Sequence, residues 1–146
     1  MMRITKDYDE RRNEILDAAE RLFSTKGYEK CTVNDILNEV SIAKGTFYYY
    51  FKSKKEVLEA IVSRYTKQII KRVEAVLEKD LRPEEKLLQI FLAMRMENRV
   101  ELDVISEMHK PENALLHQKT LQQIVTSVAP LLARVVEEGI EKKVWK

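Results

Sequence analysis

The fold is decided by residues 31–51, CTVNDILNEVSIAKGTFYYYF, which predict two short helices around a tight turn. Thr32 is a favourable N-cap for a helix over Val33–Val40, and the second helix begins near Lys44. Phe47 and Phe51, four residues apart, form the stripe that packs on the domain. The remaining face carries lysines and hydroxyls that donate hydrogen bonds to phosphates and base edges. This pattern is typical of a helix-turn-helix that reads DNA.

The second helix contains three consecutive tyrosines, Tyr48–Tyr50. Aromatic side chains at helical spacing are usually core. Adjacent helix positions differ by about 100°, so three in a row cannot all face one core. We therefore expect at least one of these hydroxyls to point to solvent or to DNA.

Charge is concentrated near the same helix. The net charge is only +2, from 26 basic and 24 acidic residues, and does not by itself indicate nucleic acid. Between Ser41 and Lys55, however, there are four lysines and no acidic residue. A lysine cluster alone is more often a solvated surface, but the aromatic and glycine pattern around it favours a basic binding face.

Composition predicts an ordered, helix-rich chain, because 45% of the 146 residues are hydrophobic, 34% are charged, and Gly and Pro number three each. The single Cys31 cannot form an internal disulfide, and the polar start lacks the apolar segment of a signal peptide. We therefore expect a cytoplasmic protein. The longest uncharged stretch, Thr120–Ala133, is shorter than the roughly 18 residues of a membrane span, so no transmembrane segment is expected.

The helical spacing of apolar residues, together with capping and helix-breaking residues, predicts five further helices, over residues 11–25, 53–78, 83–98, 101–109 and 113–138. Gly27 and Gly139 are expected to close the first and last of them, and Ser53 with Glu56 forms a capping box before the fourth. Five apolar residues of the fifth helix are predicted to point inward: Leu87, Leu88, Phe91, Leu92 and Met94. The last helix is expected to be mostly core at Leu116, Ile124, Val125, Val128, Leu131, Leu132, Val135 and Val136.

Several spaced motifs occur in a fixed order: Ile15–Phe23, Gly27-Tyr28, Thr32-Val33-x-x-Ile36 and Lys44-Gly45-Thr46-Phe47-Tyr48-x-Tyr50-Phe51-x-Ser53-Lys54. In these motifs the chain resembles the tetracycline-repressor (TetR) family over roughly residues 10–58. The resemblance implies an all-α fold, with a DNA-binding domain over residues 1–53 and a helical effector-binding and dimerisation domain over residues 54–146. It also implies a ligand-responsive repressor that binds a palindromic double-stranded DNA operator as a homodimer.

The resemblance also assigns roles within the helix-turn-helix. Lys44 and Gly45 would approach base edges, and Tyr48 would contact either bases or phosphates. The phosphate contacts fall to Thr32, Thr46, Tyr49 and Lys54, and Tyr50 and Lys52 complete the interface. Two residues depart from the family pattern. Ser41 stands where the turn usually has Gly, and Ala43 stands where Ser or Thr often caps the helix, so one phosphate contact is expected to be missing.

An apolar effector pocket is implied for the helical body. Its expected lining is Tyr65, Ile69, Phe91, Met94, Arg95, His117, Leu121 and Val125, with Asn98 or Gln122 as further polar contacts. The alternative is that the apolar members of this set are ordinary core residues.

No catalytic residue, cofactor or metal site is predicted. His109 and His117 share no metal-binding helix face with a second ligand and are expected to be solvated, and Cys31 is expected to be a packing residue. The alternatives to a ligand-responsive repressor are a regulator without an effector, and a helical small-molecule-binding protein or enzyme. The last lacks a nucleophile with a base, a metal set or a phosphate loop.

The resemblance further implies two helices beyond the seventh, which family members use to dimerise, yet the chain given stops at Lys146. Either the chain given is a truncated product, or its subunits pair through another surface. We expect the truncation, because Val144-Trp145-Lys146 exposes a large apolar side chain with nothing following to cover it. A chain without those helices is expected to dimerise weakly.

Overall fold

The computed structural model describes residues 3–95 and 99–146, and describes side chains for residues 8–95 and 102–146. This part of the chain is all-α, without a strand, which confirms the predicted fold class. The helices are α1 (Arg3–Lys26), α2 (Val33–Val40), α3 (Lys44–Tyr50), α4 (Lys54–Leu77), α5 (Pro83–Ala93), α6 (Arg99–Met108) and α7 (Ala114–Glu141), with a short 3₁₀ turn at Pro111–Asn113.

The chain divides into two compact units. The first unit comprises Met1–Val62 and Asn98–Pro111, and the second comprises Ser63–Glu97 and Glu112–Lys146. Helix α4 contributes residues to both. Helix α6 belongs to the same unit as the helix-turn-helix, a grouping that the sequence did not indicate.

The core of the first unit is built from one apolar face of each helix. Its largest fully buried side chains are Ile15, Leu16, Ile36, Phe47, Val57, Leu58, Ile61, Val62 and Val104. Helix α6 packs against α1, where the Ser24 hydroxyl donates a hydrogen bond to Asp103 Oδ2 at 3.3 Å. The three helices α1, α2 and α3 thus share a core with the start of α4.

The second unit packs α5 against α7 and the end of α4. Its core cluster consists of Val73, Val76, Ile90, Val128 and Val135. Lys86 is also buried, because its ammonium group forms an ion pair with Glu138 at 3.0 Å. Lys142 and Lys86 both bond to this carboxylate and hold the pKa of Glu138 below its usual range.

The predicted inward face of α5 is wrong for four of its five residues. The buried face follows Pro83, Lys86 and Ile90 at helical spacing, with Leu87 partly buried against the core. The adjacent apolar face is exposed, at Leu88, Phe91, Leu92 and Met94. Both faces have helical periodicity, so periodicity alone does not distinguish them. The ion pair of Lys86 with Glu138 lies on the face that is buried. On α7, Val125 and Val136 are likewise exposed, while the rest of the predicted stripe is buried or partly buried.

Helix α5 ends at Ala93, earlier than the predicted end at Asn98, which lies outside the described residues. A side chain from α4 covers the end of the helix. The Arg72 guanidinium donates to the Ala93 carbonyl oxygen at 3.0 Å and to that of Arg95 at 3.4 Å. A cation at a helix C-terminus satisfies free carbonyl groups and complements the helix dipole.

The C-terminal end of α7 differs from the prediction at two residues. Gly139 does not close the helix but lies buried within it, and the left-handed residue after the helix is Lys143, with φ of 59°. Trp145 is half-buried rather than exposed, because its indole N–H donates to the Val136 carbonyl oxygen at 2.9 Å. A Cβ at residue 139 would overlap the Trp145 ring, so the glycine is needed for this close approach.

Two further predictions concern Cys31 and the membrane. Cys31 is buried in the first unit, as expected of a packing residue, and burial raises the pKa of its thiol. Among the helices of the described residues, none is both long enough and apolar enough to span a bilayer.

Candidate nucleic-acid interface

Helix α2 begins with a reciprocal capping box. The Thr32 hydroxyl accepts a hydrogen bond from the Asp35 amide at 3.1 Å, and Asp35 Oδ2 accepts one from the Thr32 amide at 2.9 Å. Lys26 forms an ion pair with the same carboxylate at 2.9 Å. The hydrogen bond from the Thr32 backbone, followed by that from Lys26, lowers the pKa of Asp35. Thr32 therefore fixes the start of α2.

The turn between α2 and α3 places Ser41 in the left-handed region, with φ of 59° and ψ of 49°. This confirms that the turn requires the conformation for which the family pattern supplies glycine. The Ile42 amide donates to the Leu37 carbonyl oxygen at 3.1 Å and closes the end of α2. Ala43 then precedes α3 in an extended conformation and offers no side-chain cap, so α3 starts without one.

Helix α3 has one buried face and one exposed face. Phe47 and Phe51 are 0% and 4% exposed, as predicted. Tyr49 is 72% exposed and Tyr48 is 43% exposed, which confirms that the tyrosines do not share one core. Lys44 and Gly45 are exposed at the start of the helix, and Thr46 and Tyr50 are half-buried. The residues assigned to DNA by resemblance thus share an accessible surface, although their DNA contacts stay a prediction.

Gly45 has no packing role among the described residues. Its φ is not in the left-handed region, and an added Cβ would meet no described atom within 4 Å beyond its chain neighbours and the backbone of its own helix. A helical glycine is less stable than alanine by about 0.5–1 kcal/mol. The described intramolecular contacts therefore do not account for glycine at this position.

The lysines near α3 differ in their surroundings. Lys44 and Lys52 are exposed, whereas the Lys54 ammonium donates to the Tyr28 carbonyl oxygen at 2.6 Å and lies 4.1 Å from the centroid of the Tyr28 ring. The Glu56 carboxylate accepts a hydrogen bond from the Lys52 amide at 2.7 Å, so one negative charge lies beside Lys52. The basic character of this surface therefore depends on the exposed ammonium groups of Lys44 and Lys52.

The α1–α2 loop residue Tyr28 joins this end of α4 to α1. Its ring packs edge-on against Phe23, with 5.0 Å between centroids. Burial, together with the carboxylates of Glu107 and Glu29, raises the pKa of Tyr28 to about 12. Tyr28 belongs to the family motif, but nothing in the sequence spacing links it to Lys54.

A second aromatic residue was missed by the sequence analysis. Tyr8 of α1 packs against both Tyr50 and Tyr49, at centroid distances of 4.8 Å and 5.9 Å. Arg12, one turn later, lies over the Phe51 ring at 5.3 Å. The available signal was periodicity, because Tyr8, Arg12 and Ile15 lie on one face of α1.

The predicted effector residues all lie in the second unit, but their exposure differs. Tyr65 and Ile69 of α4 are buried, and His117 is half-buried. The remaining five are exposed, namely Phe91, Met94, Arg95, Leu121 and Val125. Gln122 is also exposed. A pocket formed by these residues stays a prediction.

A cavity of about 370 Å³ opens in the first unit between the end of α1, the loop after it and α6. Its walls include the aromatic residues Phe23 and Tyr28, together with acidic and basic side chains. Lys110 lies 2.6 Å from Glu107 and 3.8 Å from Glu29 across this lining. The lining therefore combines acidic and basic groups and gives no single sign of charge by which to name a ligand.

Residues 15–61 match the family model described as bacterial regulatory proteins, tetR family. The chain is therefore similar to this family over the helix-turn-helix and the start of α4. An HTH-type transcriptional regulator from Lactococcus lactis subsp. lactis is 46% identical over 56 residues, which are 38% of this chain and 29% of that protein. The fatty acid metabolism regulator protein of Bacillus subtilis is 24% identical over 130 residues, 88% of this chain and 67% of that protein.

Among solved structures, the TetR family regulator PfmR from Thermus thermophilus is similar, with a TM-score of 0.68 and 28% identity. The match covers 92% of this chain and 74% of PfmR. The chain therefore spans only part of the length of each of these relatives. All three are named as regulators and none as an enzyme, in agreement with the expectation that this chain is not an enzyme.

Proposed function

We propose that this chain is a ligand-responsive transcriptional repressor of the TetR family, which binds a palindromic double-stranded DNA operator as a homodimer and is released by a small apolar effector. The observation that carries the proposal is the outer surface of α3. This surface exposes Lys44, Gly45, Tyr48 and Tyr49, while Phe47 anchors the opposite face in the core.

Each exposed group suits a particular part of the DNA. Lys44, at the start of α3, would donate to base edges in the major groove, and Gly45 would allow the helix backbone to approach closely. Thr46, Tyr49 and Lys52 would contact phosphates, which fix the register of the helix without specifying sequence. Lys54 is already bonded to Tyr28, so we propose that it approaches a phosphate from that position.

The proposed control acts through α4, which runs from Lys54 beside the helix-turn-helix to Leu77 in the second unit. Two recognition helices of a dimer must match successive major grooves about 34–36 Å apart. An effector that binds more tightly to a conformation in which the two recognition helices have a different spacing would lower operator affinity. The largest possible decrease is the ratio of the effector's affinities for the two conformations. Tyr65 and Ile69, buried in α4, are the proposed apolar contacts.

The test begins with selection of bound sequences from random duplex DNA, followed by titrations of the selected duplex at several salt concentrations. Lys52→Ala should weaken binding to all duplexes and reduce the salt slope by about one unit. Lys44→Ala should instead change the preferred sequence. Lys79→Ala is the matched control, because it removes the same charge from an exposed position in the second unit. Equal effects of Lys52→Ala and Lys79→Ala would contradict the proposed interface.

Effector binding requires a separate test. The name of the Bacillus subtilis relative makes fatty-acid-derived compounds the first class to screen. A true effector should raise the melting temperature and lower operator affinity reciprocally. Tyr65→Ala should remove both responses.

The exposure of Phe91, Leu121 and Val125 favours a second candidate, a DNA-binding regulator without an effector. It predicts full operator affinity in the presence of every compound that raises the melting temperature.

A further inference from the structure

We propose that Tyr8 is a positioning residue of the DNA interface, which holds the Tyr49 ring in the orientation that contacts the phosphate backbone. The inference rests on the proposed function, since it assigns Tyr8 a role through Tyr49. It concerns a residue outside the helix-turn-helix itself.

The geometry is a cluster of three rings, Tyr8, Tyr49 and Tyr50. Tyr8 and Tyr50 are tilted by 36° with centroids 4.8 Å apart. Tyr49 stands nearly perpendicular to both, at 82° to Tyr8 and 86° to Tyr50, with centroid distances of 5.9 Å and 5.1 Å. Edge-to-face packing at these distances is attractive for aromatic rings. Tyr49 therefore touches one ring from its own helix and one from α1.

The exposure of Tyr49 makes these two contacts important. The side chain is 72% exposed, so the core does not restrict its rotation. A side chain that samples several rotamers loses that freedom when it binds a partner, which weakens association. Tyr8, itself half-buried, limits this freedom before DNA arrives. The free protein is thereby preorganised for a phosphate contact.

Tyr8 is held in place by the packing of α1. Four residues later Arg12 lies over the Phe51 ring at 5.3 Å, and seven residues later Ile15 is fully buried. Residues at this spacing share one helix face. The two helix turns that follow Tyr8 are thus held by the Phe51 ring, directly after α3, and by the core of the first unit.

The experiment is a double-mutant cycle of Tyr8→Ala and Tyr49→Phe, measured as affinity for a duplex selected from random sequence. Tyr8→Ala should weaken binding about two- to tenfold, the range that corresponds to one aromatic pair. The double variant should lose less than the product of the two single losses, because the Tyr49 hydroxyl contributes little once its ring is free. Tyr8→Phe, which keeps the ring, should bind like the wild type. Asn13→Ala, an exposed neutral position on α1, is the matched control and should also bind normally.

Nuclear magnetic resonance of the free protein gives a readout that does not involve DNA. Contacts between the Tyr8 and Tyr49 ring protons should be seen in the wild type, and Tyr8→Ala should increase rotamer averaging of Tyr49 while circular dichroism stays unchanged.

A multiplicative cycle, a loss with Tyr8→Phe, or an unchanged Tyr49 ring in Tyr8→Ala would each overturn the inference. If the wild type binds and Tyr8→Ala binds equally well, the inference alone is wrong. If the wild type binds no duplex even at low salt, the proposed function is wrong and the inference with it.

Discussion

Replacing Gly45 by alanine should make the protein more stable and its DNA binding weaker. An added Cβ would meet no described atom within 4 Å beyond its chain neighbours and the backbone of its own helix, so the substitution creates no clash in the folded protein. Alanine is favoured over glycine within a helix by about 1 kcal/mol, and at the second position of α3 we expect about half of that. The free energy of unfolding should therefore rise by about 0.5 kcal/mol.

The effect on binding should have the opposite sign. If the backbone at Gly45 approaches the floor of the major groove, a methyl group holds the helix away and impairs the contact made by Lys44. Loss of one base contact costs about 1–3 kcal/mol, which is about a five- to 150-fold loss of affinity. Urea unfolding followed by circular dichroism measures the first effect, and fluorescence anisotropy with the selected duplex measures the second.

Gly27→Ala is the matched control. Gly27 also has no described atom within 4 Å of an added Cβ, but its φ is +89°. Alanine there should lower the free energy of unfolding by about 1–2 kcal/mol because of left-handed strain, while the folded protein binds DNA normally. Unchanged DNA affinity in Gly45→Ala, measured alongside this control, would refute the reasoning that the outer face of α3 meets DNA closely.

Three further predictions concern residues around the two cores. Ser41→Gly should raise the free energy of unfolding by about 0.5 kcal/mol in urea titrations, because relief of left-handed strain exceeds the added freedom of the unfolded chain; a decrease would contradict it. Gly139→Ala should displace Trp145, seen as a red shift of tryptophan fluorescence with unchanged helix content, and an unshifted spectrum would show that the ring does not pack there. Since the folded pKa of Tyr28 is about 12 and an unfolded tyrosine has a pKa of about 10, stability should be constant in this respect below the unfolded value. The free energy of unfolding should fall as pH rises from the unfolded pKa towards 12. In a titration of the folded protein, tyrosinate absorbance of one residue, Tyr28, should therefore appear at a higher pH than that of an ordinary tyrosine.

The sequence was sufficient where structure depends on local contacts. Thr32 and Asp35 cap α2 from three residues apart, so the start of that helix could be read directly. Phe47 and Phe51 could be placed in the core because their spacing fixes a common helix face. The left-handed turn at Ser41 was expected only because the family pattern has glycine there.

The sequence was insufficient where two solutions have the same periodicity or where the partner is distant along the chain. Helix α5 offers two apolar faces, and the buried one includes Lys86, whose partner Glu138 lies 52 residues away. Gly139 was predicted to end α7 because glycine often follows the last residue of a helix. Its contact with Trp145 could not be predicted, because it depends on how the chain folds back after α7. The contact of Lys54 with Tyr28, 26 residues earlier, could not be inferred from charge.

Helix α3 separates the residues that stabilise the fold from those available for binding. A helix of seven residues that lacks a side-chain cap and contains a glycine would not be stable alone in water. Its stability must come from the buried face, where Phe47 is 0% exposed and Phe51 is 4% exposed. Changes at Lys44, Gly45 or Tyr49 therefore act on a surface that contributes little to this anchoring. If α3 contacts DNA as proposed, the residues of its outer surface can change without loss of the fold, provided that both phenylalanines stay buried.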